Sequence, residues 1–155
     1  MPPPADWLLV ISPFIHFSGR MTYRFSNDLA EIDRDHVHNW LSTQAYWALG
    51  RDPEVHAAAM AGSRNYGVFA ADGTQVAYAR IITDGATFAW LCDVFVDPSV
   101  RGEGVGQLLV GSIVAELEPL NLRRTMLVTA DAHSLYEKFG FDVPDKIDWL
   151  MALKS

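Results

Sequence analysis

Three glycines at alternate positions give this chain its clearest chemical signal, in the stretch Arg101-Gly102-Glu103-Gly104-Val105-Gly106. They follow a run of β-formers that stops at Asp97-Pro98, and an apolar helical pattern begins directly after them. Glycine leaves backbone N–H groups uncovered, and a helix start adds unpaired N–H groups and the positive end of the helix dipole. The pattern predicts a strand, a turn and a helix that could hold a phosphate or pyrophosphate. A tight turn that needs glycine only for its backbone angles is the alternative.

Two well-known phosphate loops do not fit these residues. A Walker loop ends in Gly-Lys-Ser/Thr, whereas Gly106 is followed by Gln107 and Leu108, so it lacks the phosphate-binding lysine and the hydroxyl that holds Mg²⁺. A dinucleotide fingerprint needs Gly-x-Gly-x-x-Gly early in its domain and an acidic residue about 20 positions later. The loop from Arg101 to Gly106 does not match that spacing.

The pattern Arg/Gln-x-x-Gly-x-Gly after a strand that ends in Asp-Pro resembles the acetyl-coenzyme A loop of the GNAT N-acetyltransferase superfamily. Further along, Leu135-Tyr136-Glu137-Lys138-Phe139-Gly140-Phe141 resembles the closing Leu-Tyr-x-x-x-Gly-Phe motif of that family. Ala132 stands at the small position four residues before the tyrosine. Many members carry Asn seven residues before it, where this chain has Thr129, so the usual side-chain contact with the pantetheine arm is not implied.

The resemblance implies acetyl-coenzyme A as the acyl donor and implies no metal. The pyrophosphate would lie on Arg101, Gly102, Glu103, Gly104, Val105 and Gly106, and the pantetheine and thioester along the main chain of Val94, Phe95 and Val96. Tyr136 matches the family tyrosine whose hydroxyl lies near the sulfur. A phenol with an ordinary pKa of about 10 can protonate a leaving thiolate. Packing in the core is the alternative role for Tyr136.

Two residues are candidate bases for the acceptor amine. Alternation along the strand predicted from Thr87 to Val96 places Leu91, Asp93 and Phe95 on one face, and Trp90, Cys92, Val94 and Val96 on the other. Asp93 would be a carboxylate in an apolar setting beside the thioester, where burial would raise its pKa. His133 lies three residues before Tyr136 on the same helical face, and an imidazole exchanges protons near neutral pH. Bracing a loop and bonding the backbone are their alternative roles.

The segment after the first helix is rich in aromatic residues, and in this family the first two helices usually roof the acceptor pocket. A pocket lined by Trp40, Tyr46 and Trp47 could hold an aromatic or aliphatic amine, and Arg51 could bind a carboxylate with both arms. Core packing would explain at least two of the three aromatics equally well. His36, His38 and His56 lack the spacing of a metal site.

Hydrophobic periodicity gives the elements that must position these residues. The pattern predicts helices over about 31–44, 52–61 and 104–118 and from a cap at Asp131 to Phe139. It predicts a first strand that starts at Met21 and further strands over 66–70, 75–82, 87–96, 125–129 and 149–153. A strand–helix–strand unit favours a parallel pair between 87–96 and 125–129. We expect the domain to cover 21–155, with 1–20 as an unstructured extension or an overlong start.

Composition narrows the class of protein. The 155 residues, 50% hydrophobic, suffice for a single core, and a net charge of −7 with only 12 Lys and Arg argues against nucleic acid as a partner. The single cysteine, Cys92, excludes an internal disulfide and agrees with a cytoplasmic protein. No apolar run approaches the length of about 18 residues that spans a bilayer, so we expect no membrane partner, and a homodimer is left open.

The sequence thus predicts one α/β domain with a mixed, mostly antiparallel, twisted sheet flanked by helices. Together with the resemblance, it predicts an acetyl-coenzyme A-dependent N-acetyltransferase that acts by direct transfer on a small primary amine or amino-acid-like acceptor. A protein or peptide amine acetyltransferase and a catalytically silent acyl-coenzyme A-binding module are the alternatives. Through the resemblance, the presence of Tyr136 argues against the silent module, and the short aromatic segment at 40–51 argues against the protein acetyltransferase.

Overall fold

The computed structural model describes residues 15–17 and 21–153, and its strands form one six-stranded sheet. In chain order the strands are β1 (Ile15–Phe17), β2 (Met21–Ser26), β3 (Arg64–Ala70), β4 (Gln75–Thr83), β5 (Phe88–Val96) and β6 (Arg124–Met126). Each strand pairs with the next, antiparallel from β1 to β5 and parallel between β5 and β6. This arrangement confirms the predicted mixed, mostly antiparallel sheet.

In the described part of the chain, four α-helices flank the sheet, namely α1 (Arg34–Gln44), α2 (Pro53–Ala61), α3 (Val105–Leu117) and α4 (His133–Glu137). The side chain of Asp33 accepts from the backbone N–H of His36 and caps α1, and Asp52 caps α2 with Pro53 in the first helical turn. The cap of α3 is Gly104, which has a left-handed φ of 83°. The predicted order of helices and strands up to β6 is confirmed.

The core has one part on each face of the sheet. On one face, α3 buries its apolar side against β3, β4 and β5, and Leu109 and Ile113 are fully buried there. On the other face, α1 and α2 pack through Val37, Leu41 and Met60 against Tyr78 and other strand residues. The sheet therefore separates the α3 face from the α1–α2 face.

A β-bulge in β5 changes which face its residues occupy. Tyr78 pairs with Phe95 and Arg80 pairs with Cys92, so the two residues 93 and 94 lie opposite one residue of β4. Asp93 has a left-handed φ of 53°, which is uncommon for a residue with a side chain. The predicted alternation is wrong for this reason: Leu91 packs on the α3 face, whereas Phe95 packs on the α1–α2 face.

The sheet opens between β5 and β6. Their register consists of Phe88 with Arg124, Ala89 with Thr125 and Trp90 with Met126. The predicted parallel neighbours are confirmed, but β6 ends at Met126 and not at residue 129. In the part of the chain that the structure describes, residues 91–96 of β5 have no strand on that side.

The C-terminal residues depart from the sequence prediction. A strand over 149–153 is wrong: Ile147–Trp149 forms a single 3-10 turn, and Met151 and Leu153 are exposed. An apolar run indicates β propensity, but it does not show whether a neighbouring strand is available for pairing.

Helix α4 also differs from its prediction. It begins at His133, and its cap position, Ala132, makes no side-chain capping bond, so Asp131 is not its cap. The Thr129 hydroxyl instead accepts from the N–H of Ala132 at 3.0 Å. Gly140, with φ of 86°, lies just beyond the helix end.

The predicted N-terminal extension stays a prediction. Residues 1–14 and 18–20 lie outside the described residues, while Ile15–Phe17 pair with β2. Within the described ranges, every helix is too short or too polar to cross a bilayer.

Candidate active site

The glycine loop takes backbone angles that side chains disfavour. Gly102 and Gly104 have φ of 82° and 83°, in the left-handed region that glycine enters without strain. Gly106 differs, because it lies in α3 and a Cβ there would meet Leu135 and Val96 at the ordinary distances of 3.5 and 3.7 Å. Only the first two glycines are therefore required by backbone conformation.

The loop and the first turn of α3 expose a set of unpaired donors. Within the described chain, no hydrogen bond is made by the N–H groups of Gly102, Gly104, Val105, Gly106 and Gln107. Unpaired N–H groups at a helix start, with the helix dipole behind them, form a binding site for an anion. The predicted pyrophosphate site fits these residues.

The two charged side chains of the loop are both bonded elsewhere. Arg101 donates from Nε to the carbonyl oxygen of Val96 at 3.1 Å, and its Cζ lies 5.7 Å from the ring centre of Phe95. Glu103 accepts from the hydroxyl of Tyr23, a buried residue of β2, at 2.5 Å. The main-chain N–H groups, together with Nη1 and Nη2 of the exposed Arg101, are left to meet an anion.

Tyr136 lies in α4 with 7% of its surface exposed, and its ring centre is 5.9 Å from that of Phe141. Its hydroxyl makes no hydrogen bond to the described part of the chain. Burial, and to a lesser extent the neighbouring Asp131 and Tyr46, raise the pKa of Tyr136 to about 12. The phenol is therefore protonated at neutral pH and can donate.

The other candidate base, His133, is the first residue of α4. Its side chain is exposed and has no hydrogen bond to the residues that the structure describes. It lies three positions before Tyr136, so the two side chains share one side of the helix. The structure leaves the His133 ring accessible from solvent.

Asp93 is the centre of a buried ion cluster. Arg51 donates from Nη1 to Oδ2 at 2.6 Å and from Nη2 to Oδ1 at 3.0 Å, and Arg80 donates from Nε to Oδ2 at 2.7 Å. The indole N–H of Trp47 donates to Oδ1 at 3.2 Å. Burial alone would raise the pKa of Asp93, but the hydrogen bonds and charges of the two guanidinium groups outweigh it, so the pKa is lowered. The predicted rise is wrong, and a weakly basic carboxylate is a poor proton acceptor.

The predicted acceptor residues divide between core and surface. Trp40 is 2% exposed and packs on Phe95 with ring centres 5.3 Å apart, so it belongs to the core. Tyr46 and Trp47 are 60% and 45% exposed and meet edge to face at 4.9 Å. Arg51 does bind a carboxylate with both arms, but that carboxylate is Asp93 of the same chain.

Sequence reasoning missed several members of this region. The sequence pattern places Arg80 only within a strand, although a cation among apolar strand residues indicates a buried anionic partner. Nη1 of Arg80 also donates to the Ser63 hydroxyl at 3.1 Å. His38 bonds the carbonyl oxygen of Arg51 at 2.8 Å through Nε2, and its ring centre is 5.2 Å from that of His56. Within the described ranges, no set of three His, Cys, Asp or Glu side chains is placed to hold a metal.

A mixed sheet that opens beside a glycine loop with unpaired donors defines a domain that can hold a phosphate-bearing cosubstrate along a strand. The model of the acetyltransferase (GNAT) domain matches residues 63–143. A Gibberella zeae protein named as a candidate acetyltransferase is 30% identical over 138 residues, which are 77% of this chain and 78% of that protein. The chain therefore belongs to the GNAT acetyltransferase family.

Solved structures agree with this assignment. A crystal structure from Xanthomonas campestris pv. campestris, described as a candidate acetyltransferase of the GNAT family, is 38% identical with a TM-score of 0.80, and the match covers 86% of this chain and 93% of that one. A Clostridium acetobutylicum acetyltransferase described with acetyl-coenzyme A shares the fold at a TM-score of 0.63 and 19% identity, over 86% and 96% of the two chains. The protein is thus an N-acetyltransferase that acts on an acceptor substrate, and its family uses acetyl-coenzyme A.

Proposed function

We propose that this protein transfers an acetyl group from acetyl-coenzyme A directly to the amino group of a small, amino-acid-like acceptor. The observation that carries the acceptor class is the cluster of Arg51, Arg80 and Asp93 beside the open end of β5. Two guanidinium groups share one carboxylate there, which leaves one positive charge uncompensated. Such a surplus favours an acceptor that carries a carboxylate.

Acetyl-coenzyme A, when bound, supplies an activated acetyl thioester. The unpaired N–H groups from Gly102 to Gln107 would hold its pyrophosphate. The N–H of Asp97 donates to Val76 on the β4 side, and backbone groups alternate in direction along a strand. The backbone groups of Val96, and of Val94 beyond it, therefore turn toward the opening between β5 and β6. The Val96 carbonyl oxygen already accepts from Arg101, so the Val96 N–H and the groups of Val94 would align the pantetheine arm.

Tyr136 is the proposed acid that protonates the leaving thiolate. Its protonated state at neutral pH and its unbonded hydroxyl both support this role. An active enzyme needs a protonated, accessible donor of this kind, whereas a silent acyl-coenzyme A-binding module does not.

His133 is the proposed base, acting directly or through a water molecule. Asp93 accepts four hydrogen bonds from three residues and has a lowered pKa, so it is a positioning residue in this proposal and not a base. The ring of His133 is exposed and unbonded to the described chain, on the same side of α4 as Tyr136.

The acceptor would lie over the exposed pair Tyr46 and Trp47, with its carboxylate toward the two arginines. The side chains of Arg51 and Arg80 are 17% and 12% exposed. Within the described chain, Nε of Arg51 and Nη2 of Arg80 have no acceptor, so donors remain after Asp93 is bound. An aromatic surface beside these donors suits an amino acid or a related amino carboxylate.

A screen for coenzyme A release tests the proposal with paired acceptors. Each amino acid is compared with the amine that lacks its carboxylate, so that each pair differs in that group alone. We expect kcat/KM to be at least about tenfold higher for the carboxylate-bearing member. A preference for the decarboxylated amine would contradict the acceptor class, and a preference for peptide amino termini would favour a protein acetyltransferase.

A further inference from the structure

Glu103 is an anomaly in a loop that receives an anion. Its neighbours Gly102 and Gly104 expose the N–H groups that would meet a pyrophosphate, yet its own side chain carries a negative charge. Two like charges a few ångströms apart at a protein surface repel each other. The loop therefore needs a way to keep this carboxylate aside.

Tyr23 holds the Glu103 carboxylate by a hydrogen bond. Its ring is 2% exposed in β2, and its hydroxyl donates to Oε2 of Glu103 across 80 positions of sequence at 2.5 Å. Burial and the bond to Glu103 raise the pKa of Tyr23 to about 12, so the hydroxyl keeps its proton and remains a donor at all physiological pH values. A hydrogen bond between a neutral donor and a carboxylate is stronger than one between two neutral groups.

We propose that Tyr23 is a positioning residue for cosubstrate binding, which holds the Glu103 carboxylate away from the pyrophosphate. This rests on the proposed function only in that the loop binds the pyrophosphate. Without the phenol, the exposed glutamate would be free to turn into the mouth of the loop and oppose the ligand. Tyr23 does not touch the ligand and acts through Glu103 alone.

Calorimetric titration with coenzyme A tests this without turnover. Tyr23→Phe keeps the buried ring and removes only the hydroxyl, and we expect its Kd to rise about tenfold, as for loss of a hydrogen bond to a charged group. Glu103→Asp shortens the exposed side chain below the reach of Tyr23 but keeps its charge, so it should weaken binding in the same direction with no change in the core. Tyr66→Phe is the matched control, because Tyr66 is also buried and donates to a carboxylate, that of Glu116, at 3.2 Å.

The decisive variant is the double substitution Tyr23→Phe with Glu103→Gln. Once the negative charge is gone the phenol has nothing to hold, so the double variant should bind coenzyme A within about twofold of Glu103→Gln. The tenfold loss in Tyr23→Phe should also shrink as KCl is raised, because salt screens exposed charges.

Several results would overturn the proposal. Equal Kd values for wild type and Tyr23→Phe would do so, as would a double variant as weak as Tyr23→Phe, which would show a mechanical brace with no role for charge. Absence of coenzyme A binding to the wild type would remove the loop assignment itself. Binding by the wild type with no turnover of any acceptor would leave this inference standing and refute only the proposed activity.

Discussion

Arg51 and Asp93 form a bidentate ion pair, with 2.6 Å between Nη1 and Oδ2 and 3.0 Å between Nη2 and Oδ1. The pair joins the connection between α1 and α2 to the bulge of β5, and Asp93 is only 5% exposed. Burying a carboxylate is costly unless it is fully bonded, and here Arg80 and Trp47 complete its partners. The wall of the proposed acceptor site is therefore built on one charged residue.

Asp93→Ala should destabilise the fold by about 3–5 kcal/mol, because it leaves two mostly buried guanidinium groups without their partner. The folded-state pKa of Asp93 is lowered, so its contribution is present above the unfolded pKa of about 3.9 and is lost as pH falls through the lower folded value. Urea unfolding of both proteins at neutral and acid pH measures this, and the difference between them should shrink in acid. Glu31→Gln, which breaks an exposed pair with Arg24, is the control and should cost much less. A pH-independent difference would contradict the argument.

Tyr136→Phe should lower kcat by about 10²–10⁴-fold, the usual cost of a lost general acid, with little change in affinity for coenzyme A. The ring keeps its packing against Phe141, so the melting temperature should change little. Steady-state rates together with calorimetry separate the two effects. Unchanged kcat would remove Tyr136 from proton transfer and leave it as a core residue.

His133→Ala should abolish the acidic limb of the rate against pH, because a base that is protonated in acid sets that limb. Asp93→Asn should leave the shape of that limb unaltered, whatever it does to stability, since the lowered pKa of Asp93 removes it from this range. The two profiles of kcat/KM discriminate between the candidates. An intact limb in His133→Ala would mean that the amine arrives neutral and that the enzyme acts mainly by positioning.

Gly104→Val should weaken coenzyme A binding by about a hundredfold, since a β-branched residue is strained at a φ of 83° and would cover the donors of the loop. Gly73→Val is the control for strain, because Gly73 has a similar φ of 87° in the hairpin between β3 and β4. It should lower the melting temperature and leave the Kd of folded protein unchanged. Gly106→Ala should cost far less than Gly104→Val, as its new Cβ meets only ordinary contacts. Equal affinities for wild type and Gly104→Val would refute the pyrophosphate site.

Tyr46→Ala should raise the KM for the acceptor several-fold without changing the Kd for coenzyme A, because it removes half of the exposed aromatic pair. Leu49→Ala is a matched control, since Leu49 is in the same connection and is also 60% exposed. Kinetics with the best acceptor from the screen measure the effect. Equal KM values for both variants would place the acceptor elsewhere.

The elements that local sequence determines were predictable. The caps at Asp33 and Asp52, the hairpin turn at Gly73 and the strand–turn–helix around Gly104 each depend on residues within a few positions of one another. The parallel pairing of β5 and β6 follows from handedness rules for such a unit. Those features also position the proposed cosubstrate site.

The acceptor side of the site was less predictable, because it depends on contacts between distant residues. No glycine or proline marks the bulge at Asp93, and its left-handed backbone overturns the simple alternation of β5. Arg51 meets Asp93 across 42 positions, and Arg80 meets it across 13. Hydrophobic periodicity and motif spacing do not reveal such pairs. The sequence therefore predicted a raised pKa for Asp93, whereas its two arginine partners lower it.

The short pairing of β6 implies that the C-terminal part of the domain has its own local stability. Among the described residues, its strand pairing runs only from Phe88 with Arg124 to Trp90 with Met126, with one further backbone bond from the Arg123 N–H to Thr87. Strands β3, β4 and β5 are paired along most of their lengths. Amide hydrogens in β6 and α4 should therefore exchange with solvent through local unfolding, long before those of β4, which should wait for global unfolding. A ligand bound in the opening between β5 and β6 would stabilise the locally folded state by mass action. Slower amide exchange in β6 and α4 alone would therefore report that the ligand is bound.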